Sequence, residues 1–170
     1  MGATRARVMV VGTLCLIACT VSPEEQVLTR FFEASRALDG TLLHRLATVA
    51  LNPRTDGSIQ TFTISKRSAA ERGPLSESHR DVALRSLIAA SGRSVDLAAM
   101  SVEIFTRQVT VEADLRTPDG VVRPASLVVT LEKAIATQGG SVVEGQWIVT
   151  RLQRAPDART SRAASSAPRS

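Results

Sequence analysis

Residues 109–135 carry the pattern that most narrows what this chain can fold into. Val109, Val111, Ala113 and Leu115 alternate with Thr110, Glu112, Asp114 and Arg116, the period of two expected of a strand with one buried and one wet face. Pro118-Asp119-Gly120 follows as turn chemistry, with a glycine free to take positive φ. Ala125 to Ile135 (ASLVVTLEKAI) then reads as a second long strand. A hairpin of this length has an apolar face that something must cover, which points to a sheet with helices laid on it. Upstream, Val102 and Ile104 stand one residue out of step with the run that starts at Val109. A bulge near Thr106 to Gln108 would bring the two into phase and bend the strand.

The covering helices are legible at the other end of the domain. Ser22-Pro23-Glu24-Glu25 is a helix start: Ser22 caps, Pro23 fits the first position and Glu25 completes a capping box. Val27, Leu28, Phe31, Phe32, Ala34 and Leu38 recur at helical spacing. Asp39 interrupts and caps a second helix, with apolar positions Leu42, Leu43, Leu46, Val49 and Ala50, ended by Asn52-Pro53. Thr55-Asp56-Gly57-Ser58 is a turn, and Ile59 to Ser65 is β-branched and aromatic enough to predict a strand. In residues 68–100, Asp81 to Ala90 fits a short helix and a strand equally. Gly92 and Ser94 to Met100 predict a loop with one helical turn. Gln138 to Gly140 opens a loop, and Gln146 to Gln153 is a last strand. There are four Phe, one Trp and no Tyr, so the core is built from Leu, Val, Ile and Ala. No internal repeat is visible.

Both ends read differently from this body. Arg5 and Arg7 precede an apolar run, Val8 to Ala18, of the length of a signal h-region and too short to span a bilayer. Leu16-Ile17-Ala18-Cys19 looks like the lipobox of bacterial lipoproteins, which implies that residues 1–18 are removed and that Cys19 receives lipid. Leu16 is too bulky for ordinary secretory cleavage after Ala18. On this reading residues 19–22 are a lipidated cysteine with a short tether, 23–154 the domain and 155–170 a disordered tail of Ala, Ser, Arg and Pro. The expected location is the extracytoplasmic face of a bacterial envelope membrane. Thr20 after the cysteine, where inner-membrane retention uses Asp, favours the outer membrane in a cell that has one. Cys15 leaves with the signal and Cys19 carries lipid, so the domain has no disulfide and no thiolate metal site.

The net charge of +5 does not make a nucleic-acid binder. Without the leader and tail, 16 basic and 15 acidic residues remain, and no basic stripe stands out. Only Lys66 and Lys133 of the 21 basic residues are lysine.

Two N-terminal helices followed by a long bent meander resemble the NTF2-like (cystatin-like) α+β fold, in which a curved antiparallel sheet wraps a helix around a cone-shaped cavity. Gly145-Gln146-Trp147-Ile148-Val149 is similar to the Gly-x-Trp-Ile/Leu-Val ending common in exported domains of that family. The resemblance covers roughly residues 23–153. It implies two amphipathic helices on a curved sheet, and a function that is either binding and assembly or isomerase- and cyclase-type catalysis with an acid or base in the cone.

The residues favour binding. Without tyrosine there is no Tyr oxyanion donor. His44 is expected on the polar face of the second helix and His79 in a polar loop. Glu112 and Asp114 are expected on a solvated sheet face. No Gly-x-Ser-x-Gly elbow, phosphate loop or dinucleotide fingerprint occurs. No catalytic residue, metal ligand or cofactor is therefore assigned. Lys133 and Arg151 each fall in phase with apolar neighbours, and Arg151 follows Trp147 and Val149. Trp147 and Arg151 are thus the expected ligand contacts at the mouth of an apolar cone. The expected partners are the membrane, through the lipid, and an envelope protein or a small apolar ligand.

Overall fold

A computed structural model describes residues 21–155; Cys19, the leader before it and all of the proposed tail except Ala155 lie outside them. The described chain is α+β, with three α-helices against a six-stranded antiparallel sheet that curls into a half-barrel. The elements are α1 (Pro23–Ala37), α2 (Gly40–Leu46), β1 (Ser58–Arg67), β2 (Glu71–Pro74), α3 (Arg80–Ser91), β3 (Ser101–Arg116), β4 (Val122–Gln138), β5 (Ser141–Glu144) and β6 (Ile148–Arg154). The sheet path is β1-β3-β4-β5, with β2 also on β3 and β6 also on β4.

The helix start at Ser22 forms as its sequence predicts: the Ser22 hydroxyl accepts from the Glu25 N–H at 3.3 Å. Leu28 and Phe31 are fully buried and Phe32 nearly so. Leu38 is a correction. It is not on the buried stripe but ends α1 in the left-handed region, at φ 55° and 55% exposed. That conformation lets the Asp39 N–H reach the Ala34 carbonyl at 2.9 Å, closing the helix end. Asp39 caps α2 through the Leu42 N–H. The second helix is shorter than expected. It stops at Leu46 because Ala47 pairs with Val149 and the Thr48 N–H donates to the Val149 carbonyl, so the edge of β6 takes the chain before Asn52-Pro53 is reached.

β3 and β4 pair in one unbroken register, from Ser101 opposite Thr137 to Arg116 opposite Val122. The expected bulge at Thr106 to Gln108 is absent from this ladder. Instead, the two out-of-phase apolar sets occupy opposite faces. Val109, Val111, Ala113 and Leu115, with Leu127, Val129 and Leu131, pack against Leu28, Phe31 and Phe32 of α1. Val102 and Ile104, with Ala134 and Ala136, pack with Ala83 and Leu87 of α3. The bulges lie on the flanking strands, where the register slips at Gln60 and Ser65 of β1 and at Thr150 of β6. The slip at Gln60 keeps Ile59, Phe62 and Ile64 all on the α1 face despite their spacing.

Of the two open alternatives for residues 81–90, the helix forms. A clasp at Ser86 fastens it to β4 and to Gln146. The Ser86 hydroxyl donates to the Gln146 carbonyl at 2.7 Å and accepts from the Ala134 N–H at 2.9 Å. The Gln146 N–H in turn donates to the Ser86 carbonyl at 3.0 Å. Gly145 has no room for a side chain: a Cβ there would overlap Ser86 Oγ and lie 2.8 Å from the Ala134 carbonyl oxygen.

Candidate functional site

Side chains from α1, α2, α3 and the Gly145–Trp147 segment converge on two adjoining clefts. The first, of about 480 Å³, runs between the start of α1 and Trp147. The α1 face of the sheet continues past the apolar core, where Lys133 lines this cleft and Arg107 stands behind it against Trp147. Trp147 is 6% exposed. The Lys133 ammonium lies 4.9 Å and the Arg107 guanidinium 5.5 Å from the indole centroid, distances at which a cation is attracted to the ring. Each cation is also neutralised: Arg107 pairs with the buried Glu24 of α1 and Lys133 with Glu144 of β5. Glu24 is thus held at the N-terminal end of α1, where its charge also meets the positive end of the helix dipole.

The second cleft, of about 590 Å³, lies between α1, α2 and α3 and shares Arg30, Leu46 and Gln146 with the first. Arg30, Arg45, Arg85 and His44 line it, with Leu42, Ile88 and Ala89 as apolar wall. Arg85 is fixed in place: its Nε donates to Asp81 at 2.7 Å, and its Nη1 donates to the Ala47 carbonyl at 3.2 Å and meets His44 Nδ1 at 2.9 Å. Arg30 and Arg45 are exposed and make no ion pair among the described residues.

The two expected ligand contacts part company here. Trp147 and Lys133 do face the same cleft. Arg151 does not join them. Val149 sits opposite Leu131 and Arg151 opposite Thr130, with Thr150 as the extra residue between. That bulge reverses the alternation, so Leu152 follows Val149 onto the α1 face and Arg151 is turned to the other, where it is exposed. The expected apolar cone is also corrected. The α1 face is filled by α1 itself, and the clefts beside it are lined by charged groups.

The remaining candidates lie apart. Asp114 accepts from Thr61 at 2.7 Å, and Glu112 accepts from Ser126 at 2.9 Å, both on the exposed face of the sheet. His44 is exposed, as expected, but serves Arg85. His79 ends a single 3₁₀ turn, not a plain loop. Its Nδ1 is 2.7 Å from Ser76 Oγ and its Nε2 is 3.9 Å from Glu132. One Glu132 oxygen takes the Thr150 hydroxyl; the other is buried without a hydrogen-bond partner. Asp119, in the β3–β4 turn, has its carboxyl held below the usual range chiefly by the Thr117 hydroxyl, far from either cleft in sequence and fully exposed. Among the described residues no three His, Cys, Asp or Glu side chains come together as a metal site, and no helix is long and apolar enough to cross a membrane.

The arginine groove was not legible beforehand because Arg30, Arg45 and Arg85 lie on three helices. Only the i, i+4 pair Asp81–Arg85 hinted at it. Comparison with known proteins adds no assignment: no family model, no curated protein and no solved structure matches this chain.

Proposed function

We propose that this chain is a non-enzymatic binding module of the bacterial cell envelope, acylated at Cys19 and built on an NTF2-like curved sheet. The lipobox-like Leu16-Ile17-Ala18-Cys19 supports the anchor. The observation that carries the reading is the distance from that cysteine to folded structure. Thr20 and Val21 alone separate Cys19 from Ser22, where α1 is already capped. A lipid on Cys19 therefore holds the start of α1, and the cleft between it and Trp147, against the membrane surface. The helix-helix-strand order and the curled sheet support the NTF2-like likeness. The second helix-covered face, under α3, sets this chain apart from a simple cone.

The nearest approach to an enzyme is the Ser76–His79–Glu132 chain. It faces no cleft described above, and the ion pairs beside Trp147, Glu24 with Arg107 and Lys133 with Glu144, are each spent on themselves. Fractionation tests the anchor: the parent chain is expected in the membrane pellet with a fatty-acid label, and Cys19→Ala without the label and released. A Cys19→Ala chain still labelled would defeat the reading.

A further inference from the structure

We infer that the groove between α1, α2 and α3 binds the phosphate headgroup of an anionic lipid, with Arg30 and Arg45 as the phosphate contacts. The inference rests on the envelope-anchored reading and gives its binding site a ligand class. The groove is lined by both cationic and apolar side chains. Arg30, Arg45 and Arg85 line it without any Asp or Glu among the described lining residues, and Leu42, Leu46 and Ile88 give it apolar surface beside them. Ile88 is 43% exposed, an apolar surface left without a partner.

The three guanidinium groups are not equivalent. Arg85 is satisfied by Asp81, His44 and the Ala47 carbonyl. It shapes the groove and places the α2 end against α3. Arg30 and Arg45 are left, among the described residues, with their donors unpaired by carboxylates, and the planar fork of an arginine matches two phosphate oxygens at once. A volume of about 590 Å³ falls in the range of clefts that take small amphiphiles. A lipid uses both kinds of surface together. A nucleic acid would want aromatic faces for its bases, and none lines this groove. Position favours the same occupant: Arg30 stands about two turns, roughly 11 Å, along α1 from its capped start, so the groove opens close to the surface in which the Cys19 lipid would sit.

The test uses detergent-solubilised full-length protein and titrates dihexanoyl phosphatidic acid, dihexanoyl phosphatidylcholine, inorganic phosphate and an oligoglutamate peptide, read by thermal shift and by calorimetry. Phosphatidic acid is expected to bind and to raise the melting temperature, with the zwitterionic lipid, phosphate and peptide binding at least about tenfold more weakly, since only the first offers both a multiply charged phosphate and an apolar tail. Arg30→Glu/Arg45→Glu is expected to abolish that binding, and Arg30→Gln/Arg45→Gln to weaken it by about tenfold or more. The glutamine pair keeps the test open if charge reversal impairs folding. Equal binding of inorganic phosphate would overturn the lipid in favour of a free-anion site. Equal binding of oligoglutamate would overturn it in favour of an acidic protein partner. Phosphatidic acid binding unchanged in the glutamine pair would overturn the groove itself. Acylation of Cys19 is read separately by the label, so loss of the anchor and loss of the groove give different results.

Discussion

Near its turn, the β3–β4 hairpin carries Val109, Val111, Val129 and Leu127 into a core with Leu28, Phe31 and Phe32 of α1. At its other end, Val102, Ile104, Ala134 and Ala136 point through the opposite face to Ala83 and Leu87 of α3. One register serves both ends. The first core is filled by volume, with Phe31 against Phe32 at 5.4 Å and Phe32 edge-on to Phe62 at 5.2 Å between ring centroids. The second has no aromatic among its buried residues. It relies on small side chains, on the close approach at Gly145 and on the Ser86 hydrogen bonds. A single ladder can therefore seat two helices on opposite faces, provided that one is held by bulk and the other by close fit.

Truncation is the strongest way to break this contrast. Phe31→Ala removes a fully buried ring and is expected to lower unfolding free energy by about 3–5 kcal/mol, measured by urea denaturation. Against a typical total of about 5–15 kcal/mol, that threatens the whole fold. Parent-like stability would mean that α1 does not dock as described. Leu87→Ala, also at full burial, is expected near the lower end of about 2–5 kcal/mol, because its small neighbours can close in. Hydrogen exchange should show the loss first in the α3 amides, with those of Leu28 to Phe32 still protected. Uniform loss across both helices would merge the two cores into one unit. The finest test compares the two buried serines. Ser86→Ala leaves the Ala134 N–H and the Gln146 carbonyl without their partner and is expected to be destabilising by about 1–3 kcal/mol. Ser35 donates only to the Phe31 carbonyl one turn back on its own helix, at 2.8 Å, so Ser35→Ala is expected within about 0.5 kcal/mol of the parent. Equal melting temperatures for the two variants would remove the special role of the clasp.

What could be read from the sequence was whatever a local pattern encodes. The Ser22 cap, the Asp39 cap, the Pro118-Asp119-Gly120 turn and the alternation from Val109 to Leu115 each declare themselves within a few residues. The third helix did not, because Ala83, Ser86, Ala89 and Ala90 give little apolar contrast and the segment fits two periods. The phase slip between Ile104 and Val109 was seen, but its cause was misplaced. A bulge and a change of buried face leave the same trace in one strand, and only α3 distinguishes them. The orientation of Arg151 depends on one extra residue at Thr150 that nothing in its neighbours marks. The short strands β2 and β5 have no signal in the sequence; four residues each are too few for periodicity to show. Alternation marks Lys133 as in phase with its apolar neighbours, but its meeting with Trp147 and the gathering of three arginines from separate helices both needed the tertiary structure.

The sixteen residues of β3 also set an order in time. Arg116 meets Val122 beside the turn, and each further rung closes onto one already made, so the hairpin can zip with little new loop entropy at any step. The pairing of β1 has no such start, since Ser58 must find Arg116 across the whole intervening chain. A chain synthesised from its N-terminus presents α1 and α2 long before β3 and β4 emerge. Phe31 and Phe32 then wait in water for a surface that does not yet exist, and that interval, more than the finished fold, is when this protein is most exposed to aggregation.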